Sequence, residues 1–229
     1  TDKTGKTAIP NLFGIKLRFG AARNLIGTDG DGVDDAMERN VVSGNRNQGI
    51  TIGGGSPDSA DNHIAGNFIG TDIDGTEPLG NQGWGIELSN GSSRTIIGVL
   101  GDGSAHDANR ANVIAANLAG GIRLRTITGA PVSGVRISGN AIGVLSDRVS
   151  PAGNTGWGVE VSEVGLAPEN VLIGGPTSVE GNVIANNTAG GVGVVSLART
   201  IRVQQNKIHS NGGLGIDLGE NGVTVNQAT

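Results

Sequence analysis

Three charged residues stand at the same position of three similar sequence phrases. Glu87 lies in GIEL, Arg123 in GIRL and Glu160 in GVEV. An arginine between two carboxylates could bind an acidic sugar, or could neutralise a uronate while a base removes its C5 proton. Tryptophans beside them could stack on sugar rings. The sequence therefore suggests a carbohydrate-binding face that comprises six residues: Glu87, Arg123, Arg125, Glu160, Trp84 and Trp157.

A purely structural role explains the same residues. Opposite charges on neighbouring parallel strands relieve like-charge repulsion and form a surface ladder that contributes up to about 1 kcal/mol per pair. Trp84 and Trp157 would then pack at corners beneath inserted loops. Glu87 and Glu160 would lie two strand spacings apart, at roughly 9.6 Å, which is the upper limit for the paired carboxyl groups of glycosidases. The charge ladder is the favoured interpretation, and catalysis stays open as the alternative.

Two short loops carry clustered aspartates. One contains Asp29, Asp31 and Asp34, and the other contains Asp72 and Asp74. Carboxylate oxygens are the ligands that calcium prefers, so both loops are candidate metal sites. The first loop lacks the ligand spacing and the terminal glutamate of an EF-hand, so ordinary Asp–Gly turns are the favoured interpretation. Calcium is the one cofactor that the sequence leaves open.

An internal repeat positions these residues. The phrase Gly, then Ile or Val, any residue, then an aliphatic residue occurs seven times, starting at Gly14, Gly49, Gly85, Gly121, Gly158, Gly191 and Gly215. Each gap between copies holds two further aliphatic phrases, the second of which follows an asparagine: Asn40, Asn67, Asn112, Asn140, Asn182 or Asn206. Each repeat is therefore predicted to hold three short strands. Longer repeats add one loop, alternately after the second strand and after the third.

Three short strands per turn, joined by corners rich in Gly and Asn, are typical of a right-handed parallel β-helix. The sequence predicts an all-β fold with about seven rungs of three short strands, a lead-in at residues 1–13 and a single β-helix domain over residues 14–226. A leucine-rich solenoid and a β-propeller are excluded, because no repeat has a helical period or a tryptophan-marked four-strand blade. The six asparagines are expected to stack as an internal amide ladder.

The inward side chains are predicted to form aliphatic columns. The column of the Gly-Ile phrases contains Ile15, Ile50, Ile86, Ile122, Val159, Val192 and Ile216. The column that follows the ladder asparagines contains Val42, Ile69, Ile114, Ile142, Ile184 and Ile208. Stacked β-branched side chains fill a narrow bore, which explains why the chain has only three Phe and two Trp.

The composition excludes several classes of protein. The 229 residues include no cysteine, which excludes a disulfide scaffold and a thiolate zinc site. A formal net charge of -5 gives no basic footprint for phosphate contacts, so nucleic acid is not an expected partner. No apolar run reaches the roughly 18 residues that span a bilayer, so membrane insertion is not expected. The sequence makes no prediction of oligomeric state.

The phrases NLIGTDGDG, GNFIGTDIDGTEPLGNQGWGIEL and NVIANNTAGGVGV resemble the right-handed parallel β-helix repeat modules of large secreted or surface-exposed bacterial proteins. The resemblance implies an extracellular or cell-surface location and a role as a non-catalytic stalk or a carbohydrate-contacting surface module. Residues 1–13 show no amphipathic period for a capping helix, and the phrase GVTVNQAT stops partway into a rung, so the chain is expected to be a segment of a longer protein.

A more distant resemblance is to pectate-lyase-like enzymes. It implies the alternative function, a carbohydrate-active lyase, epimerase or hydrolase that acts on an acidic polysaccharide. The chain departs from those enzymes because it has no tyrosine for a tyrosine-based elimination and no aspartate cluster on consecutive rungs for catalytic calcium. A polysaccharide is the expected partner under either resemblance.

Overall fold

A computed structural model describes residues 1–54, 58–194 and 197–219. In these residues the chain forms short strands in three parallel sheets, with one 3-10 turn at Asp107–Arg110. No helix among them is long and apolar enough to cross a membrane. The chain visits the three sheets in strict rotation, so each turn adds one strand to each sheet. This confirms the prediction of a right-handed parallel β-helix with three strands per rung.

Each sheet contains every third strand of the chain. Sheet 1 has seven strands, in the order β1 (Ile15–Leu17), β4 (Ile50–Ile52), β7 (Trp84–Ser89), β10 (Gly120–Thr126), β13 (Trp157–Glu163), β16 (Gly190–Val194) and β19 (Ile216–Leu218). Sheet 2 has six: β2 (Leu25–Gly27), β5 (His63–Ala65), β8 (Ile96–Gly98), β11 (Arg136–Ser138), β14 (Glu169–Gly174) and β17 (Arg199–Gln204). Sheet 3 also has six: β3 (Val41–Val42), β6 (Phe68–Ile69), β9 (Val113–Ile114), β12 (Ala141–Ile142), β15 (Val183–Ala185) and β18 (Lys207–His209).

Aliphatic columns fill the bore, as predicted. In sheet 1, Ile86 pairs with Ile50 on one side and with Ile122 on the other, and all three are fully buried. The predicted sheet 3 column is likewise in register from Val42 to Ile208. Sheet 2 contributes a third column: Ile26, Ile64, Ile97, Ile137, Ile173 and Val203. The three columns pack against one another as one continuous core, except that Ile216, in the last described rung, is 45% exposed and does not join it.

The outer face of sheet 3 is also apolar and buried. Phe68, Val113, Ala141 and Val183 occupy successive outward positions on its strands and form a second hydrophobic cluster with residues of the loops. The long loops alternate as predicted, after β2, β8 and β14 on one side of sheet 3 and after β6 and β12 on the other. The loops therefore cover this sheet.

The predicted asparagine ladder is confirmed. The side-chain N–H of each asparagine donates to the side-chain carbonyl of the next one, from Asn40 through to Asn206. Asn140 shows the full pattern: its Nδ2 donates to Ile97 O, Ser138 O and Asn182 Oδ1 at 2.9, 3.1 and 3.0 Å. The ladder therefore supplies donors to corner carbonyls and links each rung to the next through side chains.

A second asparagine ladder lies at the corner before sheet 1, and the sequence analysis missed it. Its members each precede an inward aliphatic residue of sheet 1 by five positions and bond in series: Asn45, Asn81, Asn117, Asn154, Asn187 and Asn211. The fixed offset of five residues is the sequence signal that would have revealed it.

The first residues of the chain repeat the loop that follows β6. Asp2 N donates to Thr7 O and Gly5 N to Asp2 O, and the same two bonds recur in the loops after β6 and β12. The three loops stack, because Ile73 N donates to Gly5 O and Ser146 N donates to Gly75 O. Within the expected lead-in of residues 1–13, the chain thus already follows the repeat.

Replacement of Ile142 by Asp tests the inward register. Ile142 is fully buried in the aliphatic core, so an unpaired carboxylate there costs several kcal/mol and should unfold the protein or fray its rungs. The control is Val149→Asp, because Val149 is 77% exposed. Thermal melting followed by circular dichroism should show a large decrease in Tm for Ile142→Asp only. Equal Tm values for the two variants would mean that Ile142 does not face the core.

Replacement of Asn140 by Ala tests the first ladder. The change removes an amide that is fully buried and leaves the carbonyls of Ile97 and Ser138 without this donor, so we expect a loss of about 2–4 kcal/mol in the free energy of unfolding. Asn40→Ala, at the exposed end of the same ladder, should cost about 1 kcal/mol or less. Denaturant unfolding measures both, and equal losses would contradict a cooperative internal ladder.

Candidate functional site

The predicted charged residues share one outward column of sheet 1. Arg123 of β10 pairs in register with Glu87 of β7 and with Glu160 of β13. Arg125 lies two residues further along β10 and pairs with Ser89 and Ser162. The structure therefore brings together the charged residues that the sequence singled out, because one position of the repeat always points away from the core.

The interaction within this column is asymmetric. Arg123 Nε donates to Glu87 Oε2 at 2.9 Å, and Arg123 Nη2 bonds to the same oxygen. Gln48 Nε2 also donates to Glu87 Oε2, at 3.4 Å. Among the described residues Glu160 has no ion pair. The column is therefore one half-buried ion pair with a free carboxylate beside it, and not an arginine shared between two carboxylates.

The tryptophans pack along the helix axis on glycines of the next rung. Trp84 is in register with Gly120, and Trp157 is in register with Gly190. A Cβ on either glycine would overlap the facing indole ring, so Trp and Gly alternate from rung to rung. Trp84 is only 6% exposed, which leaves it no open face for a sugar; Trp157 is partly exposed.

Arg123 completes the covering of Trp84. Its guanidinium carbon lies 4.9 Å from the centre of the Trp84 ring, within the range of a cation–π contact. Arg123 thus contacts both Glu87 and Trp84. Corner packing, the favoured interpretation of the tryptophans, agrees with the position of Trp84.

A shallow cavity lies at the beginning of the same face, and the sequence analysis did not find it. It has a volume of about 260 Å³, and its lining includes Phe13, Lys16, Gln48 and Glu87. Lys16 Nζ lies 4.0 Å from the centre of the Phe13 ring, and Gln48 Oε1 is buried without a hydrogen-bond partner. Phe13 directly precedes its Gly-Ile phrase, as Trp84 and Trp157 precede theirs. This shared position is the sequence signal that would have placed Phe13 on the same face.

The first aspartate loop forms a cluster, with one change from the expected set. Carboxylate oxygens of Asp29, Asp31 and Asp35 lie within 4.8 Å of one another. Asp35 therefore takes the place in the cluster that the sequence assigned to Asp34. Asp34 has a left-handed backbone, with a φ of 56°, and its carbonyl accepts a turn hydrogen bond from Met37 N.

The carboxylate of Asp35 is held by protein donors. It accepts hydrogen bonds from Thr28 Oγ1 at 2.5 Å, from Asn109 Nδ2 at 2.5 Å and from Gly32 N at 3.1 Å. The bond from Thr28 and the bond from Asn109 are the main reasons that the pKa of Asp35 is lowered from its usual value. The members of the cluster are close enough to share a cation, but a network of turns already explains part of its geometry.

The second aspartate loop interacts with a lysine. Lys6 Nζ donates to Asp72 Oδ2 at 2.6 Å and bonds to Asp74 as well. The bond to Asp72, followed by the bond to Asp74, raises the pKa of Lys6 to about 12. The ammonium group therefore lies where a metal ion would have to bind these two carboxylates.

Comparison with family models, with curated proteins and with solved structures found no match for this chain. Interpretation of the site therefore depends on its own geometry.

Calcium addition tests the aspartate cluster of Asp29, Asp31 and Asp35. If the cluster binds calcium only in the native state, millimolar calcium should raise the Tm by a few degrees through mass action. Asp31→Asn should remove this increase, whereas Asp58→Asn, outside the cluster, should retain it. A Tm that responds neither to calcium nor to a chelator would show that the cluster is a set of turns only.

Proposed function

We propose that this chain is a non-catalytic β-helix module of an extracellular or cell-surface protein, which acts as a rigid stalk or contacts carbohydrate through its surface. The observation that supports it most is that Arg123 on the sheet 1 face is bonded to Glu87 and covers Trp84. These three residues have the best chemistry for acting on a polysaccharide, and Arg123 already holds the other two.

The core supports the stalk role. The aliphatic columns and the two asparagine ladders run through successive rungs without a break, and each rung bonds to the rungs on both sides. A rod built in this way resists bending because deformation must break hydrogen bonds at several corners together. Rigidity of this kind is what an elongated surface protein requires of a spacer.

A carbohydrate-active enzyme is the alternative, and Glu160 is the observation that favours it. Glu160 lies beside Arg123 on the outer face and is free of ion pairs among the described residues. Two residues further along the same face of β13, Ser162 Oγ is buried without a hydrogen-bond partner. A base beside an arginine could remove a proton from a bound uronate, so the face retains some of the groups that a lyase would use.

A panel of polyuronates tests the sheet 1 face. If the face contacts an acidic sugar, Arg123→Ala should remove the binding, because the guanidinium is the cation at the centre of the face. The cost in stability should be about 2–4 kcal/mol, because the change leaves the largely buried Glu87 carboxylate without its cation and uncovers Trp84. Arg94→Ala is the matched control, because Arg94 forms its ion pair with Asp61 outside this site. Calorimetric titration gives the binding and thermal melting gives the stability.

Turnover separates the module from the enzyme. A lyase would convert the polyuronate into unsaturated products that absorb in the near ultraviolet, whereas a stalk or a binding module would leave the absorbance unchanged. Product formation that is lost in Glu160→Gln would establish the enzyme and would contradict the non-catalytic proposal.

A further inference from the structure

A cavity of about 270 Å³ lies over the outer face of sheet 3, on a different sheet from the charged column. Val183 of β15 and Lys207 of β18 line it from outward positions on neighbouring strands. The loops contribute Ala108, Ser178 and Arg148. Its volume is somewhat below the roughly 300–1,000 Å³ of pockets for drug-sized ligands, which suits one or two sugar residues.

The cavity has two cations and no acidic residue in its lining. Neither Arg148 nor Lys207 forms an ion pair within the described ranges. The neighbouring Arg136, by contrast, bonds to Glu180. In a chain with a net charge of -5, two uncompensated cations beside one cavity form a local site of positive potential.

Arg148 is fixed in place and still has donors to offer. Its Nη1 donates to Gly139 O at 2.9 Å and its Nη2 to Asn140 O at 3.4 Å. Burial lowers the pKa of Arg148 from its usual value, which shows that the guanidinium is partly desolvated. A guanidinium has five N–H donors, so those that the two carbonyls do not use remain for an anion.

The backbone at Arg148 gives independent support. Arg148 occupies the position that Gly5 and Gly75 occupy in the two loops stacked before it, and all three have a left-handed backbone, with φ of 62°, 69° and 69°. A non-glycine residue in this conformation costs about 1 kcal/mol or more. At Gly75 a side chain would also clash with the next loop, at Ser146. Within the part of the chain that the structure describes, Arg148 belongs to the last loop of the stack, so its side chain has room to extend over sheet 3.

We propose that this cavity binds an acidic sugar residue whose carboxylate is held between Arg148 and Lys207. Ala108 and Val183 offer apolar contact to the C–H groups of a sugar ring, and Ser178 and Gln205 offer hydrogen bonds to its hydroxyls. The inference rests on the proposed function for the choice of a sugar, and it specifies both the class of sugar and a second binding surface.

Isothermal titration calorimetry at low ionic strength with trigalacturonate, and with its methyl ester as the neutral counterpart, tests this site. We expect the acid to bind and the ester not to bind. Lys207→Gln and Arg148→Gly should each weaken binding by about tenfold or more, as expected for a lost charge-assisted hydrogen bond. Lys3→Gln is the control for a lost positive charge, because Lys3 is exposed and lies outside the cavity.

Arg148→Gly also controls for folding, because it installs the residue that the two preceding loops use at this position. Its melting curve should stay close to that of the parent protein, since relief of the backbone strain offsets the two lost hydrogen bonds. Ala108→Phe, a change on the exposed 3-10 turn, should block the cavity without removing a charge and should weaken binding as well.

The outcomes separate this proposal from the preceding one. Binding that is lost in Arg123→Ala and unchanged in Lys207→Gln would overturn the sheet 3 site and would support the sheet 1 face. Absence of any binding to the trisaccharide would overturn the sheet 3 site but not the stalk role, which needs no ligand. Equal affinity for inorganic sulfate and for trigalacturonate would overturn the assignment to a sugar.

Discussion

The structure depends on one constraint: the polar backbone groups of a rung must find their partners in the next rung. A rung of three strands has no neighbour in its own plane, so its corners would bury carbonyls that nothing satisfies. The two asparagine ladders meet this need by side-chain bonds along the axis, for example from Asn112 to Ile64 O and to Asn140 Oδ1. Asparagine is suited to the position because its amide has two donors and an acceptor.

The ladders lie where the loops that flank sheet 3 return to the β-helix. The long loops after β2, β8 and β14 return to the helix at Asn40, Asn112 and Asn182, and those after β6 and β12 return at Asn81 and Asn154. Each loop therefore ends at a ladder asparagine, which restores the register before the next strand begins. The connections from sheet 1 to sheet 2 also vary in length, for example between residues 90–95 after β7 and residues 127–135 after β10.

The sequence was sufficient for the features that depend on register alone. Strand identity, the inward columns, the first ladder and the alternation of loops follow from local offsets, because a side chain that points inward in one rung points inward in all of them. Features that depend on the path of a long side chain could not be obtained in this way. Register places Arg123 equally close to Glu87 and Glu160, and only its rotamer, stabilised by Trp84, selects Glu87. Likewise, turn geometry and not sequence proximity placed Asp35 in the aspartate cluster in place of Asp34.

The alternation of the loops from one rung to the next accounts for the position of the sheet 3 cavity. Loops on alternate rungs cover the outer face of sheet 3 from opposite sides, and within each stack a loop leaves little space above the one before it, as the close approach of Gly75 to Ser146 shows. After the third strand of the sixth rung the connection to β19 is short, so the stack that began at residues 1–8 ends with the loop of Arg148. The requirement for glycine ends with it, because no loop among residues 1–54, 58–194 and 197–219 is stacked on that position. A repeat protein has most freedom to change a residue where a stack of loops ends, and here the changed residue is a cation beside the sheet 3 cavity.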